Sequence, residues 1–441
     1  MQQDRAEAFF SRMRRIASEY GPVIVVLYAT CWTLLFFRHS FDFNERVFRV
    51  PLLILSLPLL LSLRLDGVGK YLRRAPQLYC LAIMILAVCM AAFLSPFPDV
   101  RSFSHLVFGW FVIAMAGCCM RLALPDTAVR LMLLGIISGL LTSIIWAVIQ
   151  VGTGELVVSD VLSGDLRLVL FTGYPATLGL MVGVALTGMF FFWRHGRAIV
   201  GKKTDLIFLL LLLAVLLLSQ ARAAFGAFIL AAGFTLVAGS RKPLRTLVFL
   251  GLFGVSAVLA AHSIGQAGPL KTSQTYQRLL SVISHPLDDP AITGRLGIWE
   301  AAVDSIAERP LTGYGLRMFS GAYASYLEKN GSALREKYAF TEKQAGHAHN
   351  LALGVLTEFG AFGFLALLCI YGYAFLPRKV QPDSDIRCLQ ALFLFFFMHG
   401  LIDYMLSKVI YSDLFFATVG LFVGAMYFER PPGKEAGHFV T

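Results

Sequence analysis

Charge is what this sequence has least of. Lys, Arg, Asp and Glu together make up 15% of its 441 residues, against roughly a quarter in soluble domains. With 57% hydrophobic residues and a mean hydropathy of +0.70, the shortage excludes a soluble globular chain and points to an integral membrane protein. Cysteine is also scarce. The seven residues Cys31, Cys80, Cys89, Cys118, Cys119, Cys369 and Cys388 avoid the one long polar segment and show no metal-type spacing. A disulfide framework is therefore excluded, and the thiols read as small apolar core residues. No internal repeat is found, which weighs against a transporter or flippase built from related halves. No cleavage pattern follows the first apolar run. The lead-in MQQDRAEAFFSRMRRIASEYGP reads instead as a basic amphipathic segment on the inner leaflet.

What the chain has in quantity is apolar runs of the length that crosses a bilayer, about 20 residues. They fall near 22–37, 50–63, 77–96, 104–120, 131–150, 170–193, 206–221, 223–239, 246–262, 350–376, 389–406 and 409–427. The expected fold is an all-α polytopic membrane protein of about 12 transmembrane helices. Alternate loops are basic: Arg5, Arg12, Arg14 and Arg15; Arg64, Lys70, Arg73 and Arg74; Arg194, Arg197, Lys202 and Lys203; Arg241, Lys242 and Arg245; Arg378, Lys379 and Arg387. The opposite loops, such as 95–101 and 152–167, are neutral, mixed or acidic. Basic loops stay in the cytoplasm, so both termini are expected there. The net charge of +11 is thereby topological, and a nucleic-acid partner is not expected. The implied domains are spans one to nine with the amphipathic lead-in (1–262), an exported helical loop (263–349), spans ten to twelve (350–427) and a cytoplasmic tail (428–441).

The exported loop is too long and too patterned for a connector. A helix is expected over 270–284, broken by His285-Pro286. A second, capped by Thr293, runs to about Arg309 and ends at Pro310. Thr312-Gly313-Tyr314-Gly315 reads as a turn. A third helix carries Phe319, Tyr323, Tyr326 and Leu327, with the two tyrosines packing, and the polar stretch 328–344 returns to the membrane.

Chemistry gathers where that loop re-enters the bilayer, in Gly346-His347-Ala348-His349-Asn350. Imidazole exchanges protons near neutral pH, and polar groups at a membrane boundary are costly enough to suggest use. His349 is the expected general base, with Asn350 orienting it. A helix beginning near Gly346 would favour its neutral form. A structural role near a helix N-terminus is the alternative. An H-x-H pair can ligate zinc, but two ligands are too few and no third His or Cys is close in sequence, so no metal is assigned. On the same face, Arg222 sits in a tight break between two apolar runs, where positive charge is disfavoured. Arg295 opens the second loop helix. Two guanidiniums can hold a diphosphate by bidentate hydrogen bonds without a metal. Arg167, Arg317 and Tyr314 are weaker binding candidates, as are His347 and Asn350. Asp42 and Glu45, flanked by Arg38 and Arg46, read as a neutralised surface patch. His399, Asp403 and Lys408 are charges at the end of a span that pair with one another or touch substrate. Glu358 is expected to pair inside the bundle, and Gly360 and Gly363 to admit a neighbouring helix.

His349-Asn350 followed by Gly360-x-x-Gly363, behind a loop holding Thr293-Gly294-Arg295-x-x-x-Trp299 and Pro310-Leu-Thr-Gly-Tyr314-Gly, resembles the O-antigen ligase/polymerase superfamily. The specific part of the likeness covers roughly 290–366; over the first two hundred residues it is topological only. Within the superfamily the chain is most similar to the lipopolysaccharide O-antigen ligases of the WaaL type. That resemblance implies a GT-C-like membrane glycosyltransferase of the inner membrane with its site on the periplasmic face. The implied donor is a polysaccharide on undecaprenyl diphosphate, and the implied acceptor is a sugar hydroxyl of lipid A–core. It implies no cofactor, and it makes His349, Arg222 and Arg295 the catalytic residues of an inverting transfer. An O-antigen polymerase or a protein O-oligosaccharyltransferase shares the histidine motif and differs in acceptor; a lipid or glycan transporter is the alternative of another class.

Overall fold

The structure, a computed structural model, describes residues 76–96, 100–123, 127–153, 175–238, 290–338, 344–375, 384–407 and 409–426, with a few residues between 240 and 248. Among the described residues every regular element is helical. They are α1 (Pro76–Phe93), α2 (Val100–Ala123), α3 (Ala128–Thr153), α4 (Pro175–Arg194), α5 (Lys202–Ser219) and α6 (Arg222–Ala238), then α7 (Pro290–Glu308), α8 (Phe319–Lys337), α9 (Leu351–Phe375), α10 (Ser384–Gly400), a 3₁₀ turn (Met405–Ser407) and α11 (Val409–Met426). Ala128–Thr153, Ala176–Arg194 and Leu351–Phe375 are long and apolar enough to cross a membrane, in keeping with a polytopic membrane protein. The expected runs 22–37 and 50–63, the run 246–262 almost entirely, and the helix over 270–284 lie outside the described residues. Each other expected span overlaps a described helix, though the end of 389–406 is turn and 3₁₀ helix.

The bundle is organised around α4, whose apolar residues from Leu178 to Phe192 are almost all buried. It packs against α3, α5, α6 and α10. Close approach depends on missing side chains: a Cβ on Gly183 or Gly188 would stand 2.5 Å from Phe395 or Leu133. Small residues let membrane helices pack without a hydrophobic driving force between them. α2 and α11 meet the same way, with Gly117 facing the Ala417 carbonyl. At the end of the bundle carrying the basic loops, buried Asp385 at the start of α10 receives Arg121 of α2 at 2.9 Å and Arg197 at 3.1 Å.

α7 and α8 form a second, smaller core. Ile298, Ala301 and Ala302 pack on Phe319, Tyr323, Tyr326 and Leu334, and the cluster extends to Ala345 and Ala348. Tyr323 and Tyr326 are packing residues, as expected. Two boundaries differ from expectation. α7 begins at Pro290 rather than at a Thr293 cap, since proline's fixed φ suits a first helical turn. α8 continues to Lys337, so most of 328–344 is helix; Lys329 and Lys337 pair across to Glu308 and Glu300 of α7 at 3.1 and 2.6 Å.

The two cores are joined backbone to backbone. α9 is interrupted at Gly360, where φ is 64° and ψ −166°, a region essentially restricted to glycine. The break frees helical carbonyls: Thr357 accepts from the Tyr314 N–H and Glu358 from the Gly315 N–H, each at 2.8 Å, while Ala361 N–H donates to the Pro310 carbonyl. Gly360 thus seats the Pro310–Gly315 turn on α9, a different role from the helix–helix contact expected of it. The buried Glu358 carboxylate accepts the Tyr404 hydroxyl at 2.7 Å and faces the backbone N–H groups of Arg317 and Phe319.

Candidate active site

The segment before α9 is where the loop core, the bundle and the ionisable groups meet. Asn350 is the helix cap: its side-chain oxygen accepts the Leu353 N–H at 3.1 Å, and its amide donates to the Leu401 carbonyl at 3.0 Å. This is ordinary N-cap geometry, with the second bond tying the helix start to the turn after α10. α9 therefore begins at Leu351, not near Gly346, and both histidines precede it. His349 holds a left-handed backbone, φ 48°, which costs about 1 kcal/mol or more in a non-glycine residue. On the other flank, Trp299 Nε1 donates to the Ala348 carbonyl at 3.0 Å.

Held from both sides, the two imidazoles face one carboxylate. His349 Nδ1 lies 3.7 Å and His347 Nδ1 4.0 Å from Asp403 Oδ1, and the rings stand 4.0 Å apart between centroids. The same Asp403 oxygen accepts the Tyr404 N–H at 2.8 Å. Burial works to raise the carboxyl of Asp403, but His349, His399 and His347 outweigh it and hold the group well below the usual carboxylate range. Asp403 is consequently a fixed negative charge at neutral pH. Both polar ends of Asn350, the residue expected to orient His349, bond to backbone; the group that faces His349 Nδ1 is Asp403.

Asp403 also changes the count behind the assignment of no metal. His347, His349 and Asp403 offer ligand atoms within 4.8 Å of one another, so the H-x-H pair does have a third potential ligand. Separation along the chain concealed it: His399 and Asp403 read as charged groups at a span's end, and nothing in a single sequence pairs them with the loop.

The arginines are placed as follows. Arg222 is exposed at the first residue of α6, after a turn in which Gln220 adopts φ 51°. Gly183 lies against both Phe395 and Ala224, so the Arg222 end of α6 is level with the Phe395–His399 end of α10, which leads into Asp403. Arg295 is half-buried on α7, one turn before Trp299 and hence on the same helix face, the face tied to Ala348. Arg317 has φ 61° and lies beside Glu358 and Tyr404. Tyr314 is buried. Its hydroxyl donates to Glu308, its ring lies under Arg309, and burial, then Glu308, push the phenol up to about 12. That places its side chain within the fold's own packing. Arg167, Arg38, Asp42, Glu45, Arg46 and the side chain of Lys408 lie outside the described residues.

This arrangement can hold an imidazole against a carboxylate. Residues 207–368 match the family model described as O-antigen ligase. That segment contains Arg222, Arg295, His347 and His349 and ends before Asp403. A Rickettsia conorii protein named as a candidate polysaccharide ligase is 24% identical over 212 residues, 47% of this chain and 48% of that protein. This chain thus spans about half the length of the curated relative it matches. The histidine segment and the Gly360 break both lie inside the matched region, so the likeness to O-antigen ligases rests on 207–368.

Proposed function

We propose that this chain is a membrane glycosyltransferase that moves a polysaccharide from undecaprenyl diphosphate to a sugar hydroxyl of lipid A–core, as an O-antigen ligase on the periplasmic face of the inner membrane. The family match supports the polysaccharide class of substrate. The observation that carries the chemistry is the Asp403 carboxylate beside His349 Nδ1. A carboxylate there keeps the ring proton on Nδ1 and leaves the Nε2 lone pair free. Nε2 then takes the acceptor hydroxyl's proton as its oxygen attacks the anomeric carbon. The bond to the diphosphate breaks on the opposite side, so the anomeric configuration inverts. Arg222 and Arg295 stabilise the charge that develops on the departing diphosphate, with Arg317 as a weaker contributor. The gap of 3.7 Å exceeds a hydrogen bond; such contacts commonly tighten only when substrate binds.

Purified protein, lipid-linked polysaccharide and lipid A–core test the reading without an energy source. Product should form with wild type and vanish with His349→Ala while membrane insertion persists. Full activity of that variant would remove the base. In a deletion strain, polymer accumulating on its carrier with the core uncapped supports a ligase; failure to make long polymer supports a polymerase instead.

A further inference from the structure

We propose that His347, His349 and Asp403 form a three-ligand site for a divalent transition metal of the zinc class, and that an ion bound there silences the transfer reaction. Two imidazoles and a carboxylate are the ligand set of open, three-ligand zinc sites, in which water fills the fourth position. Zinc–ligand bonds of about 2.0 Å at tetrahedral angles place neighbouring ligand atoms about 3.3 Å apart. Here the two His–Asp separations are 3.7 and 4.0 Å, and all three ligand atoms lie within 4.8 Å. Rotations that move each side chain by roughly half to one ångström close the site onto an ion of that size.

The surroundings favour such closure. The Asp403 side chain is 11% exposed and those of His347 and His349 are 17% and 30% exposed, so the carboxylate forms the floor and the imidazoles the rim. Three backbone anchors fix the floor and rim: Tyr404 N–H on Asp403, the Asn350 amide on Leu401 and the Trp299 indole on Ala348. An ion there displaces the weak backbone His349 N–H to His347 Nδ1 contact at 3.3 Å and stands between His349 and Asp403. Asp403 supplies one negative charge, so a divalent ion there is partly neutralised without desolvating a second carboxylate.

The inhibitory half rests on the base assigned under Proposed function. In neutral His349 the single ring proton lies on Nδ1 and the lone pair on Nε2. A metal that takes Nδ1 forces that proton, through water, onto Nε2. The ring then has no lone pair for the acceptor hydroxyl, and no bond to the anomeric carbon forms.

The test uses the full chain in detergent or nanodiscs, with Co²⁺ as a spectroscopic stand-in and Zn²⁺ as competitor. Wild type should bind one Co²⁺ with visible d–d bands that Zn²⁺ removes, and Zn²⁺ should raise its unfolding temperature. His347→Ala and Asp403→Asn, each shown folded by its own thermal transition, should bind Co²⁺ at least about tenfold more weakly. Absence of a saturable spectrum, or undiminished binding in either variant, overturns the three-ligand assignment. In the transfer assay Zn²⁺ should inhibit wild type and EDTA should restore it. Binding without inhibition overturns the inhibitory half alone and with it the role of Nε2, leaving the metal site standing.

Discussion

Asp403→Asn isolates the charge at the centre of the proposed mechanism. Asn retains a side-chain oxygen for the Tyr404 N–H, and its shape fits the space Asp403 fills between the turn and the two histidines. What disappears is the carboxylate 3.7 Å from His349 Nδ1. As the transition state forms, His349 gains a proton, and a neighbouring negative charge stabilises that imidazolium. Coulomb's law at this separation gives about 1 kcal/mol in a water-like medium and about 4 kcal/mol at an effective dielectric constant of about 20. Asp403 is nearly buried and His349 partly exposed, so the true value lies between. With a factor of ten for each 1.36 kcal/mol, kcat should fall roughly fivefold to a thousandfold. The loss should fall on kcat and leave KM little changed, because the interaction strengthens in the transition state. Initial rates across acceptor concentrations, beside a thermal melt of the same preparation, measure both. A variant with a wild-type kcat would refute the pairing of His349 with Asp403. The sign of the pH effect follows from Asp403's depressed value. Its stabilising charge is fully present above the unfolded carboxylate value near 4 and is lost only as pH falls through the lower folded value. Between pH 5 and 8 Asp403 should therefore contribute no titration to the rate profile.

Other perturbations test different parts of the molecule. Gly360→Ala places a Cβ against the Leu311 carbonyl and Thr312 nitrogen at φ 64°; the strain alone costs roughly 1–3 kcal/mol, so the melting temperature should drop by several degrees in detergent, and an unchanged melt would argue against the backbone clamp. Asp385→Ala leaves buried Arg121 without its 2.9 Å partner and should destabilise by roughly 3–5 kcal/mol, read as loss of monodisperse protein on size-exclusion chromatography. Trp299→Phe removes one indole hydrogen bond to Ala348, about 1 kcal/mol; it should lower kcat more than the melting temperature if the bond positions the histidines. Transfer should persist in excess EDTA, and inhibition reversed by a divalent metal would replace the imidazole base with metal chemistry.

Three of the spans and two of the loop helices were legible because their signals are local. Apolar runs set α3, α4 and α9; Pro310 and the glycines of the turn set the end of α7. His349 was legible for the same reason, a polar imidazole against a hydrophobic run, and the family likeness rested on a contiguous motif. Asp403 was visible as a charge but not as a partner, since its relation to His349 exists only after α9 and α10 pack. Gly360 shows a subtler limit. Its spacing from Gly363 suggests a helix-packing face, yet its backbone is left-handed and its Cβ position is occupied by another backbone. A sequence records that glycine is required there, not which of its two freedoms is used.

The anchoring of the histidines has a mechanical consequence. Ala348 is held by the loop core through Trp299, whereas Asn350, two residues on, is held by the bundle through Leu401. His349 lies between these attachments with a left-handed φ of 48°, so any shift of the loop core against the bundle must be absorbed at its own dihedrals. The clamp at Gly360 opposes such a shift by three hydrogen bonds between the 310–315 turn and α9. A site that must hold an imidazole within ångströms of a carboxylate on another element needs that rigidity, because a displacement of 1 Å can cost about a hundredfold in rate. The glycine break and the histidine pair are therefore parts of one device: the first fixes the loop to the membrane helix, and the second uses the register that this fixes.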